Sequence, residues 1–216
     1  MKRLIVMLGL VLSLTPAAFA ETSLGLKLGT LGIGVEGTYQ LSPKWGLRGG
    51  LNRYDYGYED DLDGVDYDGD LKLSSITLLA DYRPFESGFR LSGGAVINDN
   101  AIKGVALPAD FYDIGDETYT LAETGTLSAT ADFDDLSPYV GIGYDFASSS
   151  NLRFNIELGV LLQGSASVEI LSTGGSLSSD PAFQAELASE ARFYEDDLKD
   201  YDVYPVLSIG LQYAFD

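Results

Sequence analysis

The sequence predicts an all-β fold: an antiparallel eight-stranded transmembrane β-barrel with a short helix in the last extracellular loop. Three observations support this fold class. The chain begins with an export signal, its apolar and polar residues alternate with period two over long stretches, and short turns alternate with long acidic connections. No apolar run after the first twenty residues reaches 18 residues, so we expect no membrane-spanning helix.

The first twenty residues have the pattern of a signal peptide. The charged pair Lys2-Arg3 precedes an apolar run from Leu4 to Leu14, and Ala18-Phe19-Ala20 is a small-residue cleavage signal of the A-x-A kind. We therefore expect residues 1–20 to be removed after Ala20 and residues 21–216 to form one barrel domain, exported to the bacterial outer membrane.

Charge and composition exclude several functions. Removal of Lys2 and Arg3 would reduce the 13 basic residues to 11 against 33 acidic ones, which is a net charge of −22. Such a surface repels nucleic acid. Cysteine and histidine are both absent, which excludes zinc sites and Ser-His or Cys-His catalysis. We predict no cofactor, no catalytic residue and no confident metal site. We also predict no enzyme: paired carboxylates could in principle act as acid and base, but the sequence marks out no such pair.

The strands are predicted from alternation of apolar and polar residues. From Leu152 to Ile170 the even positions are almost all apolar and the odd positions mostly polar. Counted back from the C-terminus, strands are expected near residues 203–215, 152–171, 124–146, 88–105, 66–83 and 44–58. Several are two to three times longer than the roughly five or six residues of an ordinary strand, which favours a membrane barrel with a polar lumen.

The first mature segment, residues 22–41, changes phase at Gly29-Thr30. Apolar residues occupy even positions before this point and odd positions after it, at Leu24, Leu26, Leu28, Leu31, Ile33, Val35 and Tyr39. The phase change indicates either a bulge in one strand or a tight hairpin. We favour the hairpin because it gives eight strands, and bacterial barrels have even strand numbers. A second phase change, at Ser74-Ser75, predicts a bulge.

Aromatic residues cluster around the short connections. They flank the turns LSPK, PFESG and ASSSN and close the chain, at Tyr39, Trp45, Tyr82, Phe85, Phe89, Tyr144, Phe146, Phe154, Tyr213 and Phe215. We expect them to form one interfacial belt. The opposite connections, 59–70, 106–124 and 172–202, are long and acidic. In outer-membrane barrels the short turns are periplasmic and the long loops extracellular.

Strand parity also predicts which charges face the lumen: Glu36, Arg48, Asp81, Arg83, Arg90, Asp145, Arg153 and Glu157. Eight strands enclose a space that side chains can fill. These charges therefore form either a plug of paired ions or the lining of a selective pore, and the small strand number favours the plug.

The stretch EDDLDGVDYDGD, residues 59–70, is the strongest candidate for a cation site, and it is a weak one. Its acidic residues include Glu59, Asp61, Asp63, Asp66, Asp68 and Asp70. The spacing partly imitates a calcium-binding EF-hand loop, but the twelfth position is Asp instead of a bidentate Glu and no helices flank it. A solvated acidic loop is the favoured interpretation. A looser role in holding divalent cations against lipopolysaccharide remains a hypothesis.

The last long loop contains a predicted helix. Asp180 is a good N-cap, Pro181 suits the first helical position, and apolar residues recur at helical spacing from Phe183 to Leu198. Its apolar side is expected to pack on the barrel rim. The alternative is a lid over the lumen, in which acidic side chains attract cationic solutes, at Glu186, Glu190, Glu195, Asp196 and Asp197.

Five stretches carry a family resemblance: GTLGIGVEGTYQLSPKWGLRGG, LLADYRPF, LSPYVGIGY, FNIELGVLLQGSASVEI and the final YPVLSIGLQYAF. Together they resemble the carbapenem-associated outer-membrane proteins, small barrels linked to uptake of ornithine and other basic amino acids. The resemblance implies a narrow channel that prefers cationic amino acids. The alternative is a non-conducting structural or surface-interaction barrel. The expected partners are outer-membrane lipid and lipopolysaccharide.

Overall fold

The computed structural model describes residues 21–62, 65–85, 87–115, 117–147 and 151–215. For residues 60–62, 65–67 and 147 only the backbone is described. The predicted signal peptide, residues 1–20, lies outside the described residues. Within them, no helix is long and apolar enough to cross a membrane.

The described part of the chain forms thirteen strands and two α-helices. In chain order, the strands are β1 (Thr22–Gly29), β2 (Gly32–Gln40), β3 (Trp45–Leu62), β4 (Val65–Tyr82), β5 (Phe89–Asn98), β6 (Ala101–Ala106), β7 (Phe111–Ile114), β8 (Glu117–Thr120), β9 (Gly125–Asp132), β10 (Leu136–Ala147), β11 (Leu152–Leu162), β12 (Ser167–Gly174) and β13 (Val203–Phe215). The helices are α1 (Leu121–Thr124) and α2 (Pro181–Asp197), and a short 3-10 helix covers Lys199–Tyr201.

Eight of the strands close into an antiparallel barrel, which confirms the predicted fold class. Their order around the barrel is β4-β3-β2-β1-β13-β11-β10-β5, and pairing of β5 with β4 completes the circle. The first and last strands pair directly, from Thr22 opposite Phe215 to Gly29 opposite Ser208. The N-terminal hairpin is also confirmed, because β1 and β2 pair along their whole length and Gly32 turns the chain with a φ of +100°.

The outside of this barrel is apolar. Alternate side chains project outward and are about half exposed, at Leu24, Leu26, Leu28, Ile33, Val35, Leu47, Leu51, Ile76, Leu78, Val140, Ile142, Ile156, Leu158, Leu207, Ile209 and Leu211. Exposure of this apolar surface to water would be unfavourable. In a bilayer the same surface contacts the apolar lipid chains. At the short-turn end aromatic rings meet, such as Trp45 and Tyr82 with ring centroids 4.7 Å apart. This is the expected interfacial belt.

Three predicted strands are interrupted instead of continuous. The segment 88–105 is divided into β5 and β6, the segment 124–146 into β9 and β10, and the segment 152–171 into β11 and β12. At the third break Gly164 has a φ of +73°, and the break shifts the phase of the strand by one residue. The even residues of β11 face outward, whereas Val168 and Ile170 of β12 face inward.

The predicted bulge at Ser74-Ser75 is wrong. The β3–β4 pairing keeps one register from Trp45 opposite Tyr82 to Leu62 opposite Val65. The apolar residues change face at this point because the strand leaves the membrane: Ile76 and Leu78 face lipid, while Leu73 is buried on the inner side. Eighteen residues at about 3.3 Å each make each strand about 60 Å long. This is about twice the hydrocarbon thickness of a bilayer.

The outer parts of β3 and β4 continue into what we call the extracellular sheet, in the order β3-β4-β6-β9-β12. Its inner face is continuous with the lumen face of the barrel. The long connections are therefore mostly structured: 59–70 is the tip of the β3–β4 hairpin, and 106–124 contains the β7–β8 hairpin and α1. We call the extracellular sheet, the β7–β8 hairpin and α2 together the extracellular unit.

The predicted helix is confirmed as α2. Asp180 Oδ1 accepts hydrogen bonds from the backbone N–H groups of Ala182 at 2.9 Å and Phe183 at 3.1 Å. Phe183, Leu187 and Ala191 form its buried side. Phe183 and Leu187 belong to a small hydrophobic core with Ala106, Tyr112, Ile114 and Leu127. The helix thus packs on the inner face of the extracellular sheet and not on the rim of the membrane barrel, because the strands extend beyond the membrane.

Candidate functional site

The lumen contains a network of buried ion pairs centred on Arg48. Its guanidinium lies 3.2 Å from Glu36 Oε2 and 3.1 Å from Asp81 Oδ2, and it also contacts Glu157 Oε2. The side chains of all four residues are at most 5% exposed. Strand pairing explains the convergence, since inward positions of β2, β3, β4 and β11 meet inside a narrow barrel.

A second arginine extends the network toward the short-turn end. Arg90 Nη2 lies 2.8 Å from Glu157 Oε2, and its Nη1 contacts Asp145 Oδ1. Asp145 Oδ2 in turn lies 3.0 Å from Arg83 Nη2. The structure thus places seven of the eight lumen-charge candidates in one chain of contacts.

The eighth candidate, Arg153, lies apart. It is about one-third exposed and pairs with Glu21, next to the first strand. Its position close to the short turn ASSSN puts it at the rim of the barrel instead of inside the network.

The sequence analysis missed several members of the network. Lys27 Nζ lies 3.1 Å from Glu36 Oε2, Tyr139 donates a hydrogen bond of 2.5 Å to Glu157 Oε1, and Gln212 Nε2 donates one of 2.9 Å to Glu36 Oε1. Parity was a sufficient signal for Lys27 and Tyr139, because both alternate with outward apolar neighbours. The network therefore contains four cationic and four anionic side chains: Lys27, Arg48, Arg83 and Arg90, and Glu36, Asp81, Asp145 and Glu157.

An apolar layer closes the lumen above the ions. It consists of Leu31, Leu79, Val96, Tyr139, Leu161 and Val206, and Tyr204 packs against it. Leu161 and Val96 are 0% exposed. One void between the two layers, lined by residues such as Asn52 and Thr77, has a volume of about 10 Å³. That volume holds about one water molecule.

The described parts of the acidic stretch, residues 59–62 and 65–70, form a pair of strands. Glu59 lies opposite Asp68, and the backbone of Asp61 lies opposite that of Asp66. An EF-hand loop wraps its ligands around one point, whereas an antiparallel hairpin spreads them along two strands. Among the side chains that the structure describes, no group of three or more acidic residues could hold a metal ion. Asp63 itself is not described, so the cation-site hypothesis remains a prediction.

A cavity of about 270 Å³ lies between the inner face of the extracellular sheet and α2. Its floor has almost no side chains, because Gly69 pairs with Gly104 and Gly104 pairs with Ala129 across three neighbouring strands. The ring of Tyr58 lies over Gly69, where a Cβ would be only 2.7 Å from the ring. Leu187, Glu190 and Tyr194 of α2 form the opposite wall. We call this space the extracellular cavity.

The helix wall is fixed by hydrogen bonds as well as by packing. Tyr119 of β8 donates a hydrogen bond to Glu186, which raises the pKa of the Tyr119 hydroxyl to about 12. Its ring also meets Phe183 edge-on at 4.9 Å. At the far end of α2, Glu195 Oε1 accepts a hydrogen bond of 3.0 Å from the backbone N–H of Val168. These contacts attach α2 to both the β7–β8 hairpin and β12.

The sequence could not have indicated the extracellular cavity. Its floor comes from three segments separated by more than twenty residues each, and a single glycine in a strand pattern has many explanations. The acidic residues of α2 were identified, but their different positions were not: Glu186 is hydrogen-bonded to Tyr119, whereas Glu190 faces the cavity.

Two solved structures with the same fold are outer-membrane proteins of Acinetobacter baumannii. CarO of Acinetobacter baumannii superposes with a TM-score of 0.59 and 23% sequence identity, covering 93% of this chain and all of that one. CarO2 of the same organism gives a TM-score of 0.58 and 23% identity, covering 91% of this chain and 98% of that one. No family model matches the chain, and neither does any curated protein. The likeness confirms the predicted resemblance at the level of the fold, which is that of an outer-membrane β-barrel.

Proposed function

We propose that this protein is a structural, surface-interaction barrel of the bacterial outer membrane whose lumen is closed to solutes. The observation that supports this most strongly is the filling of the lumen in two layers, an ion network and an apolar layer, with a void of about 10 Å³ between them. A solute would have to separate both layers. Functional contacts would then be made by the extracellular unit.

The charge balance of the network agrees with a plug. Selective pores present rings of one sign to the passing ion. Here four cationic side chains face four anionic ones, and each carboxylate is within 4 Å of at least one cation. A balanced, buried network offers no net charge for selection, and breaking it leaves charges without partners in a place that water does not reach.

Solute flux into proteoliposomes tests this proposal. The refolded protein would be compared with protein-free liposomes for entry of ornithine, arginine, glutamate and a neutral sugar. We expect no flux above the protein-free level for any of the four. Insertion is checked separately by the change in gel mobility on boiling. Entry of any solute through correctly folded protein would overturn the closed barrel.

A narrow channel for cationic amino acids is the second candidate. One observation favours it: α2 lies on the lumen side of the extracellular sheet and is strongly acidic, with Glu186, Glu190, Glu195, Asp196 and Asp197 against a single Arg192. Such a charge excess would concentrate cations at the mouth. In this case ornithine and arginine would enter faster than glutamate, and neutralising Asp196 and Asp197 would slow them.

Four narrower expectations accompany the proposal. The apolar outside of the barrel predicts contact with lipid, and the acidic hairpin tip predicts divalent cations shared with lipopolysaccharide. Calcium titration of the protein in lipopolysaccharide-containing bilayers tests the second, and unchanged stability would remove it.

The mature chain is expected to start at Glu21, which N-terminal sequencing of the protein from membranes would check. We also expect no hydrolytic or acyl-transfer activity from the pure protein.

A further inference from the structure

We propose that the extracellular cavity is a binding site for small organic cations, in which an apolar body enters the cavity and an ammonium group pairs with Glu190. The proposal goes beyond the closed-barrel function and is independent of it, because the cavity lies in the extracellular unit, above the lumen plug. It follows from the shape, the lining and the charge of the cavity.

The shape indicates a built cavity instead of a packing gap. Gly69, Gly104 and Ala129 lie side by side on three strands, so the floor is open over the width of three strands. The helix cannot collapse onto this floor, because Phe183 and Leu187 are held by the core at the β12 side, together with Tyr112. Tyr58 stands at the opposite side. The space thus has a floor and two walls.

The lining selects an apolar ligand body. Ile102, Leu127, Ile170 and Leu187 contribute aliphatic surface, and Ile102 is 41% exposed although it lies on the inner face of the sheet. Burial of apolar surface in such a cavity is favourable by roughly 25 cal/mol per Å². A volume of about 270 Å³ is slightly below the roughly 300–1,000 Å³ of pockets for drug-sized molecules, so the ligand is small.

The charge selects a cation. Glu190 is half-buried in the cavity wall, and it has no hydrogen-bond or ion-pair partner among the residues that the structure describes. Lys103, which also borders the cavity, alternates with Ile102 and Gly104, so its side chain belongs to the outer face of the sheet. The Glu190 carboxylate is thus available to accept hydrogen bonds from a ligand in the cavity. An ammonium group would supply the missing partner, and the Tyr58 and Tyr194 rings favour a cation nearby.

The test uses 2-phenylethylamine as the probe, measured by isothermal titration calorimetry with the full-length mature protein in detergent micelles against a micelle blank. The neutral 2-phenylethanol and the anionic 3-phenylpropanoate have the same ring and similar size. We expect binding of the amine with at least about tenfold preference over both, since only the amine can donate a charge-assisted hydrogen bond to the Glu190 carboxylate. Equal binding of the alcohol or the carboxylate would overturn the assigned ligand class.

Three variants locate the site. Glu190→Gln keeps the shape and removes the charge, so the amine should bind about tenfold more weakly. Asp197→Asn is the matched control, because Asp197 is an exposed residue of the same helix that does not line the cavity, and it should leave the dissociation constant within about twofold. Ala129→Phe fills the floor and should abolish binding.

Folding of each variant is checked independently by the change in gel mobility on boiling. If Glu190→Gln lowers affinity no more than Asp197→Asn does, or if folded Ala129→Phe binds as well as the parent, the amine does not occupy this cavity and the proposal is wrong. Because the measurement involves no transport, its outcome does not depend on whether the lumen conducts.

Discussion

The barrel and the extracellular unit are built from the same strands, yet they are organised in opposite ways. In the barrel the apolar residues face outward to lipid, and charged residues are paired inside. In the extracellular unit the apolar residues face inward to α2, and the outer face carries residues such as Asp70, Lys103 and Glu169. An alternating strand therefore does not specify which face is buried. The solvent outside the strand decides it.

The chain changes from one organisation to the other in two ways. Along β4 the register continues and the sequence itself changes phase, from Ile76 on the outer side to Leu73 on the inner side. Between β11 and β12 the sequence keeps its phase and the backbone shifts by one residue near Gly164. Both changes occur where the chain passes from the barrel to the extracellular sheet. The predictions that follow test the contrast between the two regions.

The largest effect is expected inside the barrel. Arg48→Ala leaves Glu36, Asp81 and Glu157 buried around a missing cation, and loss of one partner of a buried ion network costs about 3–5 kcal/mol of unfolding free energy. Urea unfolding followed by gel mobility measures it. The matched control is Arg53→Ala, whose ion pair with Asp55 is exposed and should have no measurable effect. Equal stability of the two variants would contradict the structural role of the lumen network.

The next effect concerns the core of the extracellular unit. Phe183 is 2% exposed, and Phe183→Ala should cost about 3 kcal/mol, as expected for a buried phenylalanine. The loss should be confined to α2 and its contacts, so limited proteolysis would cleave near α2 while the barrel keeps its gel mobility. Phe193, on the same helix, is 60% exposed, and Phe193→Ala is the control. Simultaneous loss of the barrel would show that the two regions unfold together.

Substitution of two outward-facing residues compares the lipid around the barrel with the water around the extracellular sheet. Leu78 is 59% exposed on the barrel, and Val105 is 43% exposed on the extracellular sheet. A lysine on a lipid-facing strand costs about 2–4 kcal/mol near the bilayer centre, so Leu78→Lys should lower the free energy of unfolding in lipid bilayers by about 3 kcal/mol. Val105→Lys should change it by less than about 1 kcal/mol, because that face contacts water. Similar costs at both positions would place the membrane boundary elsewhere.

The smallest effect is expected at the start of α2. Asp180→Ala removes the carboxylate that accepts two backbone hydrogen bonds, which costs about 1 kcal/mol. Hydrogen exchange of the first helical turn would detect it. Asp197→Ala, at the other end of the helix, removes an acidic group from the negative end of the helix dipole and should be neutral or slightly stabilising. A larger loss from Asp197→Ala would contradict this assignment of the helix ends.

The sequence alone predicted most of the fold. Alternation identified every barrel strand, and the even strand number correctly selected a hairpin at Gly29-Thr30. Capping chemistry identified α2, since Asp180 and Pro181 are strong local signals. These features are local in sequence, which is why residue patterns alone indicated them.

Features that depend on distant residues were not predictable. The phase change at Ser74-Ser75 suggested a bulge. An apolar pattern that moves between odd and even positions arises either from a shift of the backbone or from a strand that passes from lipid into water, and the pattern alone does not distinguish the two. The break at Gly164 was missed because the even positions stay apolar from Leu152 to Ile170. The extracellular cavity depends on which strands become neighbours, so the importance of Gly69 and Gly104 appears only in the folded sheet.

The uninterrupted β4 strand has a mechanical consequence. It carries Gly69 in the cavity floor and Asp81 in the lumen network, and the pairing with β3 keeps one register between them. The continuous strand from Gly69 to Asp81 is about 40 Å long, since each residue adds about 3.3 Å. By contrast, the barrel strands β5, β10 and β11 are separate from the strands β6, β9 and β12 of the extracellular sheet. A force applied to the extracellular unit is therefore transmitted into the barrel along β3 and β4. These two strands also keep the ion network at a fixed distance from the extracellular cavity.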